Sequence, residues 1–228
     1  MGSTGLSRAD QTILKIVELA HASLQASALG FYWIDPALNM IEISTVGMPQ
    51  RFSDDYHSGV GSCDPCFARR LVGLHKKVAL LRDERTTVAP AAAEPYLALL
   101  RDFAFTDSAE MIFWKDDIPF AGLGILKRRD DPSISEETVV IASALQGYFE
   151  YALQNHPHMI EAELSRRFGL TAREVEVVNL LCGGASNGDI AAILGIGVST
   201  VKTHVLRCFD KLGVKSRVAL ISFLSGLH

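Results

Sequence analysis

The sequence predicts an α+β protein in two parts: an N-terminal antiparallel sheet flanked by helices, then an all-α domain of four helices built around a helix-turn-helix. Three observations predict it. Short apolar runs bounded by turn residues recur up to Lys127, a polar stretch containing Pro157 interrupts the chain, and from Leu170 onward the apolar spacing is helical throughout. At 228 residues, 48% apolar and 21% charged, the chain has the length for two domains and is too apolar for a disordered or collagen-like one.

Taken in order, residues 1–6 form a disordered leader and residues 8–27 a helix, with Ile13, Ile16, Val17 and Ala20 on one stripe. Residues 30–34 and 40–46 are strands joined at Asp35-Pro36-Ala37-Leu38-Asn39, and residues 77–81 a short apolar strand. Residues 108–114 and 120–127 make a hairpin around Lys115-Asp116-Asp117-Ile118-Pro119. A long helix then runs to residue 154, entered by Ser133-Ile134-Ser135-Glu136 as a capping box. Gln154-Asn155-His156-Pro157-His158 marks the boundary, since proline disfavours helical geometry in the residue before it. The divisions are 7–154 for the first domain, 155–163 for a linker and 164–228 for the second domain.

The second domain opens on Leu170-Thr171-Ala172-Arg173-Glu174, where Thr171 caps and Glu174 answers three residues later. Val175, Val178, Leu181 and Cys182 make its stripe, closed by Gly183-Gly184. A second helix starts at Ser186-Asn187-Gly188-Asp189, Gly195-Ile196-Gly197 makes a tight turn, and a third helix buries Val201, Val205, Cys208 and Leu212. A fourth covers residues 217–224. The third helix turns Ser199, Lys202, Thr203, Leu206 and Arg207 outward, as a helix entering the major groove requires.

Charge divides the same way. Residues up to Ile160 carry a net −6 and those from Glu161 a net +2, which fits a C-terminal part that meets a polyanion. Apolar runs such as Val78-Ala79-Leu80-Leu81 fall far short of a membrane span, and no signal segment is visible, so a cytoplasmic protein without a membrane partner is expected.

Leu170-Thr171-Ala172-Arg173-Glu174-Val175-Glu176-Val177, Ser186-Asn187-Gly188-Asp189-Ile190-Ala191, Thr200-Val201-Lys202-Thr203-His204-Val205 and Lys211-Leu212-Gly213-Val214 together resemble the LuxR/FixJ-type DNA-binding domain. The resemblance implies a transcription regulator, not an enzyme, that binds double-stranded DNA as a homodimer on two-fold related half-sites, with the fourth helix helping to pair protomers. The DNA-binding candidates are Asn187, Ser199, Thr200, Lys202, Thr203, His204, Leu206, Arg207 and Lys211. The chain departs from the family at Gly197, where a capping serine is usual, at Gly188, and at Leu206, which can touch a thymine methyl but cannot hydrogen-bond a guanine.

In the first domain, the order helix, strands, variable middle, hairpin and closing helix is similar to that of a GAF domain, best matched from Asp107 to Leu153. The resemblance implies a concave pocket on one face of the sheet for a small-molecule effector; a pure dimerisation module is the bland alternative. Tyr32, Trp33, Tyr56, Asp64 and Trp114 are the candidate ligand-binding residues. Tyr56 followed by Asp64-Pro65 also resembles the acyl-homoserine-lactone-binding domain of quorum-sensing regulators, although Trp33 and Trp114 do not stand where that motif places its tryptophans. A phosphoreceiver is excluded, because a regular βα alternation is absent.

Cys63-Asp64-Pro65-Cys66 allows a redox pair and hence a rival class, a redox-responsive regulator or thiol oxidoreductase; a structural turn is the favoured reading, since no second such motif accompanies it. His57 and His75 lie near it, but without a second Cys-x-x-Cys no metal site is assigned, and no cofactor is expected. Cys182 and Cys208 read as core residues.

Overall fold

The computed structural model describes residues 8–154 and 156–226, so the leader expected at 1–6 lies outside the described residues. The chain divides into two compact units, one up to Ala152 and one from Leu153.

In the first unit, helix α1 (Arg8–Leu24) precedes strands β1 (Ala28–Ile34) and β2 (Met40–Val46). Helices α2 (Gln50–His57), α3 (Ala68–Gly73), α4 (Leu81–Glu84) and α5 (Pro90–Asp102) surround the short strand β3 (Val78–Leu80). The hairpin β4 (Phe105–Lys115) and β5 (Ile118–Arg128) leads to α6 (Glu136–Leu153). All pairings are antiparallel, in the order β2-β1-β5-β4-β3. Every residue of β1 is buried, which requires cover on both faces, whereas the edge strand β2 is half open to solvent.

Successive side chains alternate between those faces. One face carries Phe31, Trp33 and Phe113, with Trp33 packed on Phe31 and Phe120, and Phe113 edge-on to Phe149 of α6. The other carries Tyr32, Ile112, Trp114 and Leu126 and packs against Phe52, Leu71, Tyr96 and Leu99 from α2, α3 and α5. Beyond the end of β3 the free edge of β4 is completed by α6: Gln146 Nε2 donates to the Ile112 carbonyl and the Trp114 N–H donates to Glu150 Oε2, each at 2.8 Å. Lys127 is buried, and its Nζ donates to the carbonyls of Leu24, Gln25 and Pro132, which ties the end of α1 to the entry of α6.

Four sequence expectations change. Residues around Phe52, read as loop, form α2; only Phe52 of its eight residues is buried, so no apolar period announces it. The capping box at Ser133 and Glu136 gives way to Ser135, whose hydroxyl accepts from the Thr138 N–H. Helix α5 replaces an unassigned middle segment. Most of the expected linker 155–163 lies in helix α7 (Pro157–Phe168), because Pro157 occupies its first turn, where a missing N–H costs nothing.

The second unit adds α8 (Ala172–Cys182), α9 (Asn187–Leu194), α10 (Val198–Leu212) and α11 (Arg217–Ser225). Leu164 of α7 joins Val178, Leu181, Ile190, Val201, Cys208 and Leu220 in its core, so five helices build it and not the four expected. No single helix among the described residues is long and apolar enough to cross a membrane.

The glycines of β5 place the pocket side chains. In register, Gly122 lies between Tyr32 and Ile112, and Gly124 between Gly30 and Glu110. A Cβ on Gly122 would collide with the Tyr32 ring and hydroxyl, whereas one on Gly147 of α6 meets nothing within 4 Å. Gly122→Ala is therefore expected to destabilise the first unit by about 1–3 kcal/mol through overpacking, and Gly147→Ala to stabilise it by about 0.5–1 kcal/mol through helix propensity. Urea denaturation followed by tryptophan fluorescence reads this unit alone, since Trp33 and Trp114 are the chain's two tryptophans.

Candidate functional site

Two sites emerge, one in each unit. The first is a cavity of about 50 Å³ between the sheet and α2, with Gly30 and Tyr32 of β1, Met40 of β2, Met48, Phe52 and Tyr56, Asp64 and Cys66, Tyr96 of α5, Glu110 of β4 and Gly124 of β5 around it. Tyr56 donates to Asp64 Oδ2 at 3.0 Å, and the Cys66 N–H donates to Asp64 Oδ1 at 2.7 Å. Tyr32 donates to Glu110 Oε1 at 2.9 Å, and Tyr96 to the Ser108 hydroxyl at 3.1 Å.

Both carboxyl groups are nearly sequestered, with Asp64 5% and Glu110 7% exposed. Burial raises the Asp64 carboxyl to about 7, against the pull of the Cys66 N–H and the Tyr56 and Tyr96 hydroxyls. Burial raises Glu110 well above the usual carboxylate range, and the Asp64 charge adds to it while the Tyr32 hydrogen bond opposes. Tyr32, Tyr56 and Tyr96 are likewise raised, first by burial and then by the neighbouring carboxylates. Burial thus favours the protonated form of both acids, and Asp64 titrates near neutral pH.

Of the sequence candidates, Tyr32, Tyr56 and Asp64 meet in this cavity. Trp33 lies on the opposite face of the sheet, and Trp114 packs under the His75 ring at 4.3 Å, away from the cavity. Glu110 and Tyr96 were missed; an acidic residue inside the apolar run Ala109-Glu110-Met111-Ile112 was the available signal for the first.

All four cysteines are free thiols. Burial, followed by the charges of Asp64, Glu110 and Glu84, pushes the Cys66 thiol far up, the reverse of what an activated thiolate requires. Cys63 and Cys66 instead bracket the turn that presents Asp64. No group of three or more metal-ligating side chains occurs among the described residues.

The second site is the outer face of α10. Helices α9 and α10 meet at 109° across Gly195-Ile196-Gly197, within the range of a helix-turn-helix. Gly195 takes the left-handed conformation (φ 64°) that ends α9. Ser199, Thr200, Lys202, Thr203, Leu206 and Arg207 are exposed, Leu206 by 63%. His204 is half-buried, and Asn187 is half-buried in the first turn of α9. Lys211, expected among the DNA contacts, is exposed and pairs within the unit: its Nζ donates to Glu174 Oε2 at 2.6 Å and to the Gly169 carbonyl at 2.7 Å. Glu174 also accepts from the Thr171 N–H at 2.8 Å, completing the capping box, and these hydrogen bonds hold its carboxyl below the usual range although burial opposes them. Lys211 thereby locks the C-terminal end of α10 to the start of α8.

Residues 169–224 match the family described as bacterial regulatory proteins, luxR family. The whole chain is similar in fold to SdiA of Escherichia coli, with TM-score 0.52 and 16% identity over 97% of this chain and 92% of that one. A second structure, SdiA in complex with octanoyl-rac-glycerol, gives TM-score 0.46 and 13% identity over 97% and 89%. The GAF domain/HD domain protein from Geobacter sulfurreducens gives TM-score 0.49 and 14% identity over 67% of this chain and 96% of that one.

The raised carboxyls make stability pH-dependent with a definite sign. The folded state binds more protons than the unfolded state between the ordinary carboxylate range and the folded values, so stability falls as pH rises. For Asp64 that window runs from 3.8 to about 7. Its limiting slope is about 1.4 kcal/mol per pH unit. Asp64→Asn is expected to flatten this segment in urea titrations; an unchanged slope would mean that Asp64 ionises freely in the folded protein.

Proposed function

We propose that this DNA-binding regulator, with its luxR-family helix-turn-helix, adjusts its affinity for an operator according to whether a small molecule occupies the cavity above β5. The observation that carries the reading is the pairing, in one chain, of an exposed basic and polar recognition face with a partly covered pocket lined by convergent hydrogen-bonding groups.

On the DNA side, α10 lays Lys202, Thr203, Leu206 and Arg207 along the major groove. The backbone N–H groups at its start, left open by the Gly197 cap, meet a phosphate. A homodimer on two half-sites is supported by α11, where Val218 and Ile221 are 77% and 43% exposed. In the first unit, Val140, Tyr148 and Tyr151 of α6 are exposed in the same manner. On the sensor side, strand β4 carries Glu110 into the cavity and holds α6 through Gln146 and Glu150. An occupant that shifts β4 is felt by α6, and only an occupant binding two arrangements unequally changes the output.

The acyl-homoserine-lactone reading retains one observation in its favour, the Tyr56–Asp64 hydrogen bond at the cavity wall. It lacks tryptophans there, since Trp33 and Trp114 both lie elsewhere.

Lys202→Ala is expected to weaken operator binding roughly tenfold and to lower the salt slope by about one, with the fold intact. Fluorescence anisotropy across salt concentrations checks this; unchanged binding would remove α10 from the groove. Lys211→Met is expected to lower the thermal midpoint of the second unit without that change in salt slope. Replacing Cys63 and Cys66 by Ser is expected to leave regulation intact. Loss of an oxidant response in that variant would instead establish the redox reading.

A further inference from the structure

Among the described residues four carboxyl groups are buried, and two of them face a cation. Glu84 takes Arg70 at 2.9 Å together with Lys76, and Glu174 takes Lys211 at 2.6 Å. Asp64 and Glu110 are the exceptions. No lysine or arginine lines their cavity, and the one histidine there, His57, turns its Nδ1 back to the Ser53 carbonyl at 2.6 Å. The other titratable groups facing the pair are Tyr32 from β1, Tyr56 from α2, Cys66 before α3 and Tyr96 from α5, none of which is cationic.

The space beside the pair is held open by the absence of side chains. A Cβ at Gly124 would come within 3.2 Å of Glu110 Oε2, and one at Gly30 within 3.4 Å of the Met48 methyl. The two glycines face each other in register across β1 and β5. Elsewhere this chain neutralises a buried carboxylate from within; here it builds a chamber in place of the neutralising group.

We propose that the chamber binds a small molecule bearing a protonated amine, seated between Glu110 and Asp64, with its carbon skeleton against Met40, Met48 and Phe52. Two buried carboxylates without a counter-charge are costly, and an ammonium group supplies that charge together with three hydrogen-bond donors. The tyrosine rings add faces that attract a cation, and the methionines adapt to the shape of the chain. A volume of about 50 Å³ admits about four waters, hence an aliphatic amine of similar bulk. Burial favours the protonated form of both acids, so entry of the ammonium ion, which favours their charged form, displaces a proton to solvent. Affinity therefore rises with pH until the amine itself loses its proton. The inference rests on the reading above that this cavity is the sensor's, and it specifies the ligand class.

The test is isothermal titration calorimetry of the full chain with n-butylamine, 1-butanol and butyrate, between about pH 6 and pH 8, in buffers of different ionisation enthalpy. The expected result is butylamine binding about tenfold or more tighter than 1-butanol, with a proton released and affinity rising with pH, and no binding of butyrate. Glu110→Gln is expected to remove most of the preference and reduce the proton release. If that variant does not fold, the comparison of the three probes on the unaltered chain decides alone. Equal or tighter binding of 1-butanol or butyrate, the absence of proton release, or no binding by any of the three would overturn the proposal. Operator affinity measured with and without butylamine separates the two readings, because binding without an effect on DNA would refute the sensor and leave the amine site standing.

Discussion

Two positions without side chains on β5 govern the first unit. Gly122 and Gly124 leave the middle of the sheet bare, so Tyr32 from β1 and Glu110 from β4 reach across β5 and meet at 2.9 Å. A Cβ at Gly122 would collide with the Tyr32 ring and hydroxyl, and one at Gly124 would press on Glu110 Oε2. The same bareness, continued by Gly30, leaves the void beneath α2 and α5. Because Met48, Phe52 and Tyr96 cover much of the void, the carboxyls that enter it are largely stripped of water, and burial pushes both above the usual carboxylate range. Cavity, hydrogen-bond pattern and titration all follow from the absence of two Cβ atoms. A fold that needed only to dimerise would gain stability by filling this space, since a cavity in a core costs free energy in proportion to its size.

The second unit solves a different problem. Its recognition helix must keep one face free for DNA while being fixed in position from behind. Val201, Cys208 and Leu212 do this by burial, and Lys211 does it with charge, clamping Glu174 and the Gly169 carbonyl. Thr171 joins the same carboxylate, so the start of α8 and the end of α10 share one acceptor. Arg173 reaches the Leu194 carbonyl and Arg217 the Ala185 carbonyl, each donating to the backbone near a helix end. The basic surplus of this part of the chain is consequently smaller at the DNA face than the count of basic residues suggests.

The sequence made local patterns legible and long-range ones illegible, for reasons visible in single residues. The Thr171–Glu174 capping box and the Gly195 stop are encoded within a few positions and were readable. The β4–β5 hairpin was readable because its turn is polar and its strands are apolar. Helix α2 was not, because an eight-residue helix with one buried side chain leaves no period. Helix α7 was hidden by Pro157, whose place in the first turn of a helix looks in sequence like a break. At the cavity, Tyr32, Tyr56 and Asp64 meet as a group the sequence singled out, while Glu110 comes there by strand register and Tyr96 by the packing of α5, 46 and 32 residues past Asp64. Trp33 was misplaced by parity, since neighbouring residues of a strand face opposite sides of the sheet. The Lys211–Glu174 pair was not legible, because a basic residue on a recognition helix looks the same in sequence whether or not it meets a buried glutamate.

The central claim is that occupancy of the chamber is coupled to DNA affinity. Its most direct test is operator affinity of the full-length protein, measured with and without the small-molecule fraction of its host's cell extract, beside a Gly124→Leu variant whose chamber is filled. The account predicts an affinity that changes several-fold with the fraction in the unaltered protein and stays constant in the filled one, a coupling of about 1 kcal/mol or more. An operator affinity that ignores the fraction in both proteins, or follows it equally in both, would contradict it.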